Sequence, residues 1–293
     1  MEIALVILST VLFGGQFIAL DAYQKANGKT FRSVLFFLLC FSLTGALIFL
    51  SLNAFQLSFS WYTFVFALIA ASLQIALQFF GIKALAKGRV EIYTLFNVSG
   101  GMSIAYIFGI TYFKEEIKVA HIIGLILIVL CLLIPVFFEK KDGKKNSWIF
   151  WILCILVFLS NGFFGSVNKI HIVSGEGLSI KEYMFYMYIL MSVISLFSLL
   201  ISLFIRKNNN IKEVISWKPI LFAVGYGLLN GFGMFLQYMN ADKIPASILF
   251  PLSNGGCIVF SLIFACLFYK KKPRLLDIIQ MLVALGGMSL FFF

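Results

Sequence analysis

Apolar residues run along this chain in blocks of roughly twenty, the length that crosses a bilayer as a helix. Short clusters of Lys, Arg, Asp, Gly and Asn separate the blocks. Breaking the sequence at those clusters predicts ten spanning helices, at 3–22, 32–52, 60–83, 90–112, 118–138, 148–170, 182–205, 218–240, 245–269 and 275–293. The breaks are too short to hold a soluble domain. The third and fourth spans are separated only by "KALAKGR", Lys83 to Arg89.

The pattern repeats at half the chain length. "LFNVSGG" (Leu95 to Gly101) returns as "LFPLSNGG" (Leu249 to Gly256), with Leu95, Phe96, Ser99 and Gly101 matching Leu249, Phe250, Ser253 and Gly255. "LQFF" (Leu77 to Phe80) has a partner in "LQYM" (Leu236 to Met239). "LFGGQF" (Leu12 to Phe17) faces "LSNGFF" (Leu159 to Phe164), and "HIIGLILIV" (His121 to Val129) faces "DIIQMLVAL" (Asp277 to Leu285). The shared order suggests two five-helix units, residues 1–146 and 147–293. Five is odd, so the second unit enters the membrane from the opposite side. The expected fold is therefore an all-α integral membrane protein of ten transmembrane helices in two inverted-topology five-helix repeats, a plan common among secondary transporters.

Composition agrees. Hydrophobic residues make up 61% and charged residues 12%, half the charge a soluble domain carries, about 25%. The net charge of +11 lies in the breaks between apolar runs, which reads as helix anchoring and not as a nucleic-acid surface. The loops after helices 1, 3, 5, 7 and 9 hold 18 of the 23 Lys and Arg residues; the opposite loops hold 5. Basic loops stay in the cytoplasm, so both termini are expected outside a plasma or inner membrane. "MEIALVILST" lacks a positive leader and reads as a first span, not a cleaved signal. The five cysteines all fall inside apolar runs and form no C-x-x-C pair, so they read as small apolar residues.

Polar side chains in lipid are costly and tend to face a bundle interior or a wet cavity. Amides well inside the spans are Gln16, Gln74, Gln78, Asn97, Asn161, Asn230, Gln237 and Asn254, with Gln280 in helix 10. They mark helices 1, 3, 4, 6, 8 and 9 as cavity-lining, and leave helices 5 and 10 peripheral or as a contact between protomers. The substrate-binding set expected from this pattern is Gln16, Gln78, Asn97, Asn161, Asn230, Gln237 and Asn254, joined by Lys169 if helix 6 continues past it. The competing reading is interhelical hydrogen bonding for the amides and snorkelling to the interface for Lys169. Asp21 occupies the comparable end of helix 1 and is a conceivable partner for Lys169. "SGG" and "NGG" either loosen their helices and expose carbonyls or pack helices closely. Tyr106 and Tyr226 are candidate cavity walls. All twelve acidic residues lie at helix ends or in loops. With two histidines, no H-E-x-x-H, no Cys/His cluster and no Walker motif, neither catalysis nor a metal or cofactor is expected.

"LFGGQFIALDAYQK" in helix 1, Arg32 at the start of helix 2, and "LFNVSGGMSIAYIFGITYFKEEIKVAHIIGLILIVL" over helices 4 and 5 resemble the drug/metabolite transporter superfamily, in its ten-helix EamA-like branch. The resemblance covers nearly the whole chain. Asn97 stands where the family often has proline, and Lys270 to Lys272 replace its glutamate after helix 9. Small four-helix relatives carry a glutamate in helix 1, where this chain offers Gln16. The resemblance implies a small-solute carrier, often an exporter, with both termini commonly cytoplasmic, against the charge count. The expected function is a secondary transporter exporting small polar organic solutes such as amino acids, by alternating access around a central cavity between helices 1–4 and 6–9. A multidrug or organic-cation efflux carrier is the alternative, ahead of a channel or a membrane-embedded enzyme. The expected partners are a small-molecule substrate, the lipid bilayer, and a second copy of the chain through helices 5 and 10.

Overall fold

The computed structural model describes residues 2–28, 30–116, 118–138, 147–205, 217–239, 241–269 and 274–293. These form ten helices: α1 Glu2–Asn27, α2 Phe31–Leu52, α3 Trp61–Lys87, α4 Val90–Thr111, α5 Val119–Phe138, α6 Trp148–Val173, α7 Ile180–Ile205, α8 Trp217–Tyr238, α9 Ala246–Tyr269 and α10 Leu275–Ser289. A 3-10 turn, Leu290–Phe292, extends α10. All ten helical segments are long and apolar enough to cross a membrane. The chain is a multi-pass membrane protein. The basic runs at 139–145 and 270–272 lie outside the described residues.

Three helices outrun their expected ends, α6 by three residues past 170. Helix α1 continues five residues past 22, and α3 four residues past 83. A charge ends an apolar span without ending a helix. Lys25 pairs with Asp21 one turn back at 2.5 Å, and Lys83 lays its ammonium over the Phe79 ring at 4.0 Å. Both long side chains reach toward the interface from helical backbone. Helix α3 stops at Gly88, whose backbone is extended.

Contacts between helix ends sort the loops onto two faces. At one end, Lys243 lies 3.6 Å from Glu2, Lys118 Nζ donates to Phe293 O at 3.0 Å, and Ser58 N donates to Glu182 at 2.9 Å. At the other, Arg32 Nη2 donates to Ser202 O at 2.8 Å, Arg89 Nη1 donates to Val136 O at 3.2 Å, and Tyr269 Oη donates to Asp21. We term these the terminal end and the basic end. Trp61, Trp148 and Trp217 each open a helix and are largely exposed, the placement of an interfacial aromatic belt.

Within the bundle, α1 packs on α8 and α9, α6 packs on α3 and α4, and α2 packs on α7 and α8. Helix α3 also meets α7, α4 meets α9, and α5 and α10 pack on one another within the same chain. Outward positions such as Leu47, Phe197, Phe204, Ile126 and Leu282 are exposed and apolar, as lipid-facing surface requires.

Lipid tails are as apolar as the helices, so close packing through small residues holds such a bundle together. A Cβ on Gly100 of α4 would run into the backbone of Phe158 in α6, and one on Gly162 of α6 into Ile104 and the Gly100 carbonyl. Gly14 of α1 meets Phe260 of α9 in the same way, and Gly256 of α9 meets Thr10 of α1. The repeated "SGG" and "NGG" therefore mark close approaches, and both α4 and α9 run through them unbroken, α9 even across Pro251.

These contacts generate a paired prediction. Gly100→Ala forces two backbones apart and should cost about 1–3 kcal/mol, read as a melting temperature several degrees lower for purified protein in detergent. Gly225→Ala in α8 meets nothing within 4 Å and should leave the melt unchanged or slightly raised, since Ala is the better helix former.

Candidate functional site

Seven of the eight residues singled out from sequence converge on one central cavity of about 430 Å³. Helices α1, α3, α4, α6, α8 and α9 line it. Helices α2 and α7, expected among the walls, do not; they pack against each other behind it through Gly45, where the Tyr188 ring takes the place of a side chain.

The amides hold one another in position. Asn230 Nδ2 donates to Gln16 Oε1 at 2.9 Å, joining α8 to α1. Asn230 Oδ1 in turn accepts from the Tyr188 hydroxyl of α7 at 2.6 Å. Asn161 Nδ2 reaches from α6 to the Asn97 carbonyl of α4 at 2.7 Å. Gln237 Nε2 donates to Ser253 Oγ at 3.1 Å, tying α8 to α9. Asn254 Nδ2 caps the Phe250 carbonyl of its own helix at 2.9 Å, and Gln78 lines the cavity from α3. Interhelical bonding and cavity lining, posed as alternatives from sequence, thus coincide at Gln16, Asn161, Asn230 and Gln237.

Two oxygens in this wall, Gln74 Oε1 and Asn97 Oδ1, are buried with no hydrogen-bond partner in the protein. Gln74 joins the expected seven. It lies four residues before Gln78, on the same helical face, and that spacing was its signal in the sequence. Tyr226 lines the cavity as expected, whereas Tyr106 is buried elsewhere. Phe13, Tyr93, Thr94, Phe164 and Phe250 complete much of the wall. In a chain with 35 Phe, nothing in the sequence distinguishes these aromatics from the lipid-facing ones. None of the described lining residues is charged.

Lys169 is not in the cavity. Helix α6 does continue past it, yet its ammonium is buried at the terminal end, donating to the Ile244 carbonyl and lying 5.7 Å from the centre of the Phe113 ring. It neither meets the cavity nor snorkels outward. Asp21 cannot partner it, because α1 and α6 finish at opposite ends of the bundle; Asp21 is engaged by Lys25 and Tyr269.

Around Lys169 a buried polar layer closes the terminal end. Asn168 Oδ1 accepts from Tyr183 Oη at 2.6 Å, and its Nδ2 lies 3.4 Å from Tyr238 Oη. His171 stacks on Tyr183 with ring centres 3.9 Å apart and places Nε2 3.1 Å from Thr63 Oγ1. The Glu115 carboxylate accepts from Ala246 N at 2.5 Å and Ser247 N at 2.8 Å, so an anion from beyond α4 caps the positive N-terminus of α9. Toward the basic end the cavity instead meets a smaller one of about 90 Å³, which shares Leu20 and Gln78 and reaches Gly28 in the turn after α1. Among the described residues no cluster of His, Cys, Asp and Glu could hold a metal ion.

No protein-family model matches the chain, and no curated protein matches it either. One solved structure, described as a crystal structure of a protein, superposes with a TM-score of 0.74 at 14% identity, over 98% of this chain and 94% of the other. The chain is similar to it in fold.

Proposed function

We propose that this protein is a secondary carrier for small polar organic solutes, built from two inverted five-helix repeats at 1–146 and 147–293 and working by alternating access. The observation that carries the reading is the central cavity, walled by amides from both halves and free of charged side chains among its described lining residues. Carriers bind solutes near the bilayer midplane at a repeat interface, and uncharged amides hold a polar solute there without a permanent buried charge.

The packing of the helices supports the repeat. Exchanging each helix for the one five places along the chain turns the α1–α8 contact into α6–α3, α1–α9 into α6–α4, and α2–α8 into α7–α3. It leaves α2–α7, α4–α9 and α5–α10 as they are. The unequal ends support alternating access: a buried polar layer stands between the cavity and the terminal end, while a second cavity extends it toward the basic end. The family reading, an EamA-like drug/metabolite transporter, rests on the sequence motifs. We propose the exposed outer faces of α5 and α10, otherwise turned to lipid, as the surface for a homodimer.

In proteoliposomes the protein should catalyse saturable uptake with counterflow from a panel of labelled neutral and charged metabolites. Asn97→Leu and Asn254→Leu should each lower that rate at least tenfold, with unchanged gel-filtration profile and membrane level. Equal rates in mutant and parent would remove these residues from the site, and flux without saturation or counterflow would indicate a channel.

We place the basic end in the cytoplasm and both described termini outside, from the 18-to-5 division of basic residues. A phosphatase fused after Phe293 should then be active in intact cells, and a fluorescent protein at the same point dark. The reverse pair of signals would turn the orientation over.

A further inference from the structure

The lining of the central cavity narrows what it can hold. Gln16, Gln74, Gln78, Asn97, Asn161 and Asn254 offer hydrogen bonds from neutral groups only. A solute carrying net charge, or the two separated charges of an amino acid, would lose its hydration there and meet no compensating ion among the described lining residues. Three ionic groups toward the two ends of the bundle are committed elsewhere. Asp21 is engaged by Lys25 and Tyr269, Lys169 by the Ile244 carbonyl, and Glu115 by two backbone N–H groups of α9.

The two unpartnered groups specify the polarity of the solute. Gln74 Oε1 and Asn97 Oδ1 are acceptors, buried, and without a partner in the protein. Leaving such an oxygen bare is unfavourable, so the site is completed by a solute that brings N–H or O–H donors to α3 and α4 together. The neighbouring amides are held by the protein itself: Asn161 by the Asn97 carbonyl, Gln16 by Asn230. They form a preorganised wall beside the two unpartnered acceptors, which lowers the cost of binding.

The walls specify the shape. Phe13, Tyr93, Phe164, Tyr226 and Phe250 all present rings to the cavity. Tyr226 is braced edge-on by Phe37 and Phe41 at 4.9 and 5.1 Å between ring centres, and Phe250 by Tyr238 at 6.3 Å. Rigid aromatic faces favour flat solutes, since any base has a π-face to stack on them. Side-chain amides are also the groups that read the paired donor and acceptor edge of a heterocyclic base, as Asn and Gln do with adenine. A volume of about 430 Å³ falls among pockets that hold drug-sized molecules.

We infer that the cavity binds an uncharged, flat nitrogen heterocycle bearing N–H donors, a free nucleobase or its nucleoside, through Gln74, Asn97 and the aromatic walls. The inference rests on the carrier reading above and names its substrate class.

The test uses the full-length protein, purified in detergent and reconstituted in liposomes. Adenine, hypoxanthine, adenosine and uridine are compared with leucine, glutamate, lysine and tetraphenylphosphonium, by melting shift and by counterflow. At least one of the four neutral heterocycles should raise the melting temperature by several degrees at millimolar concentration, and the same compound should drive counterflow. Gln74→Leu and Asn97→Ala should each weaken it at least tenfold, with the unliganded melt within about two degrees of the parent. Should both variants fail to fold, the comparison among probes on the parent protein decides alone. Counterflow of a charged probe that these substitutions abolish, with no response to the heterocycles, would overturn the substrate class and leave the carrier reading intact. A heterocycle effect indifferent to both substitutions would overturn the assignment of the site. Absence of any shift and any counterflow across all eight probes would overturn the carrier reading and the substrate class together.

Discussion

Inside hydrocarbon a polar group has no water to turn to, and this one constraint organises the molecule. The backbone meets it by forming ten helices. Asn254 meets it within its own helix, and Gln16, Asn161, Asn230 and Gln237 meet it across helix interfaces. Asn230 reaches Gln16, Asn161 reaches the Asn97 carbonyl, and Gln237 reaches Ser253. Each bond draws a different pair of helices together about the same axis. Where the amides are too many to satisfy one another fully, a polar cavity remains, with Gln74 and Asn97 each holding an acceptor open.

The same constraint separates the two ends of the bundle. At the terminal end Asn168, Lys169, His171 and Glu115 are satisfied by tyrosine hydroxyls, a threonine, a carbonyl and the first N–H groups of α9. Each of these four side chains has a partner in that layer, and His171 Nδ1 is left unbonded. Toward the basic end the corresponding end of α1 carries Asp21 and Lys25, which pair with each other and with Tyr269 at the rim. Beside them the second cavity reaches Gly28. The alternating access proposed above needs two ends with different states of closure, and the difference between these two lies in where α1 and α6 place their polar residues.

Glycine sets how closely the halves approach. Gly100 and Gly162 bring α4 against α6, and Gly14 and Gly256 bring α1 against α9. These four helices carry Gln16, Asn97, Asn161 and Asn254. Wider spacing of α4 and α6 would carry Asn161 out of reach of the Asn97 carbonyl, so there the small residues and the polar ones are parts of one arrangement.

The ten spans and the amides within them are legible in the sequence alone. Run length and the cost of a polar residue in lipid are local properties, visible without knowing which helices touch. That is why helix limits agree to within a few residues everywhere except at α1 and α3, where Lys25 and Lys83 end the apolar pattern but not the helix. That is also why Gln16, Gln78, Asn97, Asn161, Asn230, Gln237 and Asn254 are found together. The tertiary structure decided the rest. It turned Lys169 toward the Ile244 carbonyl, placed α2 and α7 behind the cavity, chose Phe13 and Phe164 from among many phenylalanines, and left the oxygens of Gln74 and Asn97 open. Each of these depends on which side chain stands opposite across a helix interface, and the periodicity of a single chain carries no record of the face it will meet.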